Sequence, residues 1–266
     1  MINWALYKRE MRKSIKLLVI FAAIITLYVS IIIGMYDPEM MATLDTFYQI
    51  MPDLMASVGM TAGATTLIGF MISYLYGFIL LLFPLLFIVL RANGLIAKYV
   101  DTGSIVALLA APVKRRVMAL TQMGVLLSGI VLLDLYTTGL EIALATWQFP
   151  GQMPVGELMR LNGGLLCLHL LIGGIAFLSS AYFSDTKYSL AFGAGIPGLM
   201  FVLQMLANAG HEARAAKYFT IFSLFQAQGL VASQTEALLG AGTLAIGAIL
   251  FYAIAVAVFS NKDLHI

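Results

Sequence analysis

Six apolar runs dominate this sequence, each about as long as the twenty-residue helix that crosses a bilayer core. They cover residues 15–35, 67–90, 117–140, 163–183, 190–208 and 239–259. The rest of the chain could not clothe them in water. Of its 266 residues 61% are hydrophobic and 11% charged, against about 25% charged in a soluble domain. A soluble surface needs that charge, so soluble enzymes, nucleic-acid binders and disordered tails are excluded. The runs do not alternate over about ten residues, as the strands of a membrane barrel would. The first run is too long for a cleaved signal peptide, lacks a small-residue cleavage site and is followed by further spans. Pro84 and Pro197 lie inside runs, where a kink is tolerated if neighbours satisfy the freed backbone groups. The expectation is an all-α polytopic protein with six transmembrane helices in a single domain, 1–266.

The basic residues orient it. With the N-terminus inside, the inner segments hold Lys8, Arg9, Arg12, Lys13, Lys16, Arg91, Lys98, Lys114, Arg115, Arg116, Lys187 and Lys262. Only Arg160, Arg214 and Lys217 remain outside. The positive-inside rule then puts both termini in the cytoplasm, and the even span count agrees.

Between the runs, residues 4–14 are basic and amphipathic. Trp4, Tyr7 and Met11 share one helical face, and Lys8, Arg9, Arg12 and Lys13 take the others. This predicts an N-terminal interfacial helix within 1–14 that leads into the first span. The outer loop 36–66 carries Asp37, Glu39, Asp45 and Asp53 without Lys or Arg, and its apolar residues suggest a helix on the outer surface. Its GxxxG spacing at 59–63 reads as a flexible entry turn. Residues 216–228 are too short and too aromatic for a span, so 209–238 reads as a re-entrant or interfacial hairpin. Cys167 is alone in an apolar run, which leaves no disulfide framework or cysteine metal site.

The inner loop 91–116 is the most informative stretch. Residues 91–101 should continue the second span as a helix, Thr102-Gly103 should break it, and Ser104 should cap a short helix over 105–110. Pro112 ends that helix. Ile105, Val106, Leu108 and Leu109 then form an apolar helix in water that needs a cover. Either this chain's own helix ends supply it, or the helix docks a soluble protein, which is the preferred reading.

Here the sequence resembles the ABC-2-type permeases, membrane subunits of ATP-binding-cassette exporters. The resemblance rests on Asp101-Thr102-Gly103-Ser104 followed by Leu108-Leu109-Ala110-Ala111-Pro112-Val113-Lys114-Arg115. It is supported by the basic opening Tyr7-Lys8-Arg9-Glu10, by 179–189, and by span count and order. The family usually has Glu where Asp101 stands. The resemblance implies a permease that pairs with a second permease subunit, identical or not. It also implies a nucleotide-binding ATPase docked on a cytoplasmic coupling helix between spans two and three. Docking then falls to Gly103, Ser104, Ile105, Val106 and Leu109, with Asp101 and Arg115 as polar flanks. No GxxxxGK[ST] occurs in this chain, so ATP and Mg would be bound by the partner. The implied function is export of a hydrophobic or amphipathic solute across the plasma membrane.

Charged residues inside spans carry a functional hypothesis by default. Asp134 and Glu141 are seven apart and share a helix face. With His169 and Gln204 they could form one polar cluster in the outer half of the bilayer. It would be either a hydrophilic patch on the substrate route or helix–helix glue, with Asp134 bonded to His169 and Glu141 facing Arg160 or water; glue is the preferred reading. A secondary transporter using Asp134 and Glu141 as proton or cation sites is an alternative. So is a non-transporting receptor or immunity protein. No HExxH or GxSxG is present, and His169, His211 and His265 are far apart, so neither a metal site nor an enzyme is expected.

Overall fold

The structure is a computed structural model that describes residues 2–37, 50–57, 66–106, 113–209 and 214–262. Every long element in it is helical. In chain order these are α1 (Trp4–Gly34), the short α2 (Pro52–Ser57) and α3 (Leu67–Asp101). Then come α4 (Arg115–Gln148), α5 (Val155–Tyr182), α6 (Thr186–Ala209), the short α7 (Ala227–Val231) and α8 (Thr235–Asn261). The six long helices are each long and apolar enough to cross a membrane. The protein is therefore an all-helical, multi-pass membrane protein in architecture.

The helices outrun the apolar stretches that nucleate them. With 31 residues, α1 is about 46 Å long at 1.5 Å per residue, against a hydrocarbon core of about 30 Å. The basic start and the apolar run are one unbroken helix, begun where Asn3 accepts the Leu6 N–H. The face that α1 buries is Leu6, Glu10, Ser14, Phe21, Ile25, Val29 and Ile33, not the face of Trp4, Tyr7 and Met11. Trp4 is 62% exposed, stacked on Tyr7 with Lys8 over its ring.

The chain runs up and down, so that Asn3, the start of α4 and Lys262 share one end of the bundle. The Asn3 N–H donates to Thr121 Oγ1, and Arg115 donates to the Lys262 carbonyl at 2.7 Å. This end also gathers the basic residues and is called the basic end below. At the centre, α5 packs against α3, α4, α6 and α8. A Cβ at Gly173 would stand 2.3 Å from the Tyr252 hydroxyl of α8 and 2.7 Å from Ile130 of α4. A small residue there lets three helices approach closely.

α3 is irregular in three places. It starts with Thr66 accepting the Gly69 N–H, passes through a π-helical stretch over Ile72–Ile79, contains Pro84, and breaks at Ile96 (φ −126°, ψ −61°) before its last turn. π-helical turns are rare and cluster at functional sites.

The segment after α6 folds back on the bundle. It forms two 3-10 turns, Arg214–Phe219 and Ile221–Leu224, and then α7. Phe222 is buried edge-on to Phe201, while Tyr218 and Phe219 are exposed. Arg160 donates to the carbonyls of Leu230 and Val231 and closes the end of α7. The GxxxG stretch at 59–63, Leu108, Leu109, His211 and His265 lie outside the described residues.

Gly240 of α8 fixes where this returning segment sits. A Cβ there would lie 2.5 Å from the Leu224 carbonyl oxygen, a backbone atom with little room to yield. Gly240→Ala should therefore cost about 1–3 kcal/mol as an overpacked contact. Gly242→Ala, with nothing within 4 Å of the added carbon, should stay within about 0.5 kcal/mol of the parent. Unfolding of the two variants in detergent checks the contrast; equal losses would contradict this packing.

Candidate functional site

Three polar groupings interrupt the apolar interior. The first is built on the break that Pro84 makes in α3. Proline has no N–H, so the carbonyl four residues earlier, that of Leu80, loses its helical partner. His169 of α5 supplies a replacement, with Nε2 3.0 Å from that oxygen. On its other side, His169 Nδ1 lies 2.8 and 3.0 Å from the two carboxylate oxygens of Asp134 on α4. His169 is fully buried and Asp134 is 7% exposed.

The carbonyl can only accept, so Nε2 carries a hydrogen, which settles the tautomer. One proton then lies between Nδ1 and the carboxylate. Each member of the pair meets the hydrogen-bonding need of the other. An unpaired carboxylate at a helix centre in hydrocarbon would cost about 2.5–3.5 kcal/mol on insertion scales. The arrangement joins α3, α4 and α5.

The second grouping lies toward the opposite end. Glu141 is fully buried, and its Oε2 is 2.9 Å from the Tyr76 hydroxyl and 2.8 Å from Asn162 Nδ2. Tyr76 also reaches Asn162 Oδ1 at 2.9 Å. The set again links α3, α4 and α5, and Tyr76 comes from the π-helical stretch. Glu141 does not meet Arg160, which is occupied by α7. Gln204 does not join Asp134, Glu141 and His169 either. It donates to Asn208 on its own helix, one turn on, because its position on α6 faces a cavity rather than α4.

That cavity measures about 480 Å³ and is lined by Tyr76, Leu81, Gln204, Asn208, Phe222 and Gln226, among others. Amides alternate with apolar and aromatic walls, a surface suited to an amphipathic solute. The buried Oε1 of Gln204 and of Glu141 have no hydrogen-bond partner among the described residues.

The third grouping closes the basic end. Glu10 of α1 is fully buried. Its Oε2 is 3.2 Å from Arg91, whose guanidinium also donates to the Glu10 carbonyl at 2.9 Å. Its Oε1 accepts from Tyr99 at 2.6 Å and Lys13 at 3.1 Å, with Arg9 at 3.3 Å. The Ala97 N–H donates to Ser180 of α5 at 3.0 Å. The last turns of α3, which lead to Gly103, are thus fastened to both α1 and α5.

Beyond Asp101, which is exposed, Gly103 turns the chain with φ +67°. The Ser104 hydroxyl points back to Thr102 Oγ1 at 2.6 Å and toward the Tyr99 carbonyl. It caps no N–H of the next turn among the described residues; Val106 N–H goes to the Gly103 carbonyl. Ile105 is 2% exposed and belongs to the chain's own core, whereas Val106 is 46% exposed. Of the residues assigned to docking, Ile105 is therefore covered by this chain, and Arg115 is committed to Lys262. Leu109 is not among the described residues.

Sequence reasoning paired Asp134 with His169 but missed Glu10, Arg91 and Tyr99, and also Tyr76 and Asn162. Glu10 left one signal: it is the only acid among five basic residues in 4–16. Among the described residues no group of three or more His, Cys, Asp or Glu could hold a metal. No family model, curated protein or solved structure matches the chain.

The pair at Pro84 can be tested by stability in detergent. His169→Ala leaves both Asp134 and the Leu80 carbonyl without a partner and should cost about 3–5 kcal/mol, as breaking a buried pair does. Asp134→Asn keeps a hydrogen-bonding side chain facing the ring and should cost about 1 kcal/mol. Equal, small losses would remove the pair from the forces that hold the bundle.

Proposed function

We propose that this chain is the permease subunit of an ATP-driven exporter of the ABC-2 type, with its basic end in the cytoplasm of a plasma membrane. A separate ATPase would bind ATP and Mg, and a second permease would complete the pathway for a hydrophobic or amphipathic solute. The observation that carries this reading is the fastening of the inner loop. A segment that receives force from an ATPase must be rigidly joined to the helices it moves. The turn at Gly103 presents Val106 outward, on a stem tied to α1 through Glu10, Arg91 and Tyr99 and to α5 through Ser180. The resemblance in 101–115 and the absence of a phosphate-binding loop from this chain support the same assignment.

The amide and aromatic cavity by Gln204 and Phe222 supports an amphipathic cargo. Asp134 is engaged by His169, and His169 by a backbone carbonyl. That closure favours the structural role for the pair over ion coupling. For docking, Asp101, Gly103, Ser104 and Val106 are the described candidates, while Ile105 packs in this chain's core and Arg115 bonds Lys262.

The test uses the tagged full-length chain purified from its native membrane with whatever ATPase accompanies it. ATP hydrolysis should copurify. Val106→Asp should reduce the copurifying ATPase activity at least tenfold, because the charge would be desolvated against the partner. The variant should insert and unfold like the parent. Purification without ATPase activity, together with solute uptake driven by a proton gradient in liposomes, would reject this function in favour of a secondary transporter.

A further inference from the structure

A second cavity, of about 680 Å³, opens at the basic end between α1 and the last turns of α3. Its walls include Lys13, Arg91, Asn93, Lys98, Asp101 and Thr186. Three observations bear on what it holds.

Its depth comes first. Leu17 and Leu90, which also line it, lie at the edges of the apolar runs 15–35 and 67–90. A cavity bounded by those residues on one side and by lysines on the other sits where lipid headgroups meet the hydrocarbon.

Unmet hydrogen-bonding capacity comes second. Arg91 and Asn93 are 7% and 8% exposed. Yet Arg91 Nε, Asn93 Oδ1 and Thr186 Oγ1 are buried atoms without a partner among the described residues, and all three residues line this one cavity. Leaving such groups unmet costs about 1–3 kcal/mol each, so a ligand that meets them would be held by them.

Charge comes third. Lys13, Arg91 and Lys98 face Glu10 and Asp101, three cations against two carboxylates. Glu10 is already filled by Tyr99, Lys13, Arg9 and Arg91. The wall left for a ligand is cationic, with Asp101 and Asn93 Oδ1 as acceptors.

We propose that this cavity is a binding site for a phosphate ester, and that its source is the headgroup of a phospholipid from the surrounding leaflet. The phosphate would take the Arg91 Nε–H, Lys98 and the Thr186 hydroxyl, and the hydroxyls or ammonium of the headgroup would donate to Asp101 and Asn93. The acyl chains would leave past Leu17 and Leu90. Basic pockets between membrane helices at the cytoplasmic face recognise headgroups in this way. Because Tyr99, Thr102 and Ser104 also line the cavity, the bound lipid would stiffen the stem of the inner loop. The proposal needs only the bilayer placement of the spans and stands whether or not an ATPase docks there.

Native mass spectrometry of the delipidated full-length protein tests it, with three additives at matched concentrations. These are dioctanoyl phosphatidylglycerol, dioctanoylglycerol, which lacks the phosphate, and inorganic phosphate. One phosphatidylglycerol per chain is expected, with dioctanoylglycerol and inorganic phosphate each bound at least tenfold more weakly. Lys98→Ala, at an exposed position, should weaken phosphatidylglycerol binding about fivefold, the share of one lysine near a lipid surface. Asn93→Leu, which fills the cavity, should also lower binding, with unfolding in detergent showing that the fold is kept. Equal binding of dioctanoylglycerol, or unchanged binding in both variants, would overturn the site. Inorganic phosphate binding as tightly as the lipid would overturn the lipid source and assign the cavity to free phosphate.

Discussion

The Leu80 carbonyl is the point on which the bundle turns. Within a bilayer every backbone polar group must be satisfied by the protein itself, and Pro84 denies this one its helical partner. His169 supplies the missing hydrogen from a neighbouring helix and is held by Asp134 from a third. A break in one helix thus becomes a junction of three. The same three helices meet again at Tyr76, Asn162 and Glu141, where the π-helical stretch of α3 redirects its side chains. Polar residues that would each be costly alone are stabilised by one another, although Glu141 keeps Oε1 without a partner among the described residues. Both sets lie on the faces that α3, α4 and α5 turn toward each other, so apolar packing and polar closure select the same arrangement.

At the basic end the logic differs, because exposed cations join a buried carboxylate. Glu10 gathers Arg9, Lys13, Arg91 and Tyr99 around one carboxylate. The two exposed partners, Arg9 and Lys13, contribute little stability as surface ion pairs do. The buried Arg91–Glu10 contact fixes where the end of α3 lies against α1. That fixation would give the proposed function a mechanical basis, since the last turns of α3 are tied to α1 and α5. The headgroup site proposed in the adjoining cavity would lie on the same stem, so lipid composition and force transmission would act on one joint.

Much of this was legible in the residues. The six helices followed from apolar length, and the Asp134–His169 pairing followed from matching depth on adjacent spans. The helix ends at Trp4 and Asp101 were legible, because 4–14 and 91–101 read as helical extensions of their spans; those at Gln148 and Val155 were not, because polar turns prolong α4 and α5 beyond their apolar runs. The face that α1 buries, Leu6, Glu10 and Ser14 at its start, was not read from the sequence, where the aromatic face of Trp4, Tyr7 and Met11 drew the attention. Glu10 lies inside because a carboxylate ringed by cations can be buried, which a hydropathy pattern does not register. Gln204 and Arg160 were assigned by depth alone. Depth does not give rotation about the helix axis, and the structure turns one toward a cavity and the other toward α7. Ile105 was expected to face a partner, but the turn at Gly103 rotates it inward and leaves Val106 outside.

The dependence of the bundle on the Leu80 carbonyl is tested most directly by a double-mutant cycle between Pro84→Ala and His169→Phe, read as unfolding free energy in detergent. Alanine at 84 restores an N–H that can reach the Leu80 carbonyl, so losing the histidine should matter less in that background. The cost of orphaning Asp134 is common to both arms and cancels. A coupling energy of about 1 kcal/mol or more, within the range for residues that share a partner, is the predicted result. Strict additivity would show that His169 does not close the break that Pro84 makes.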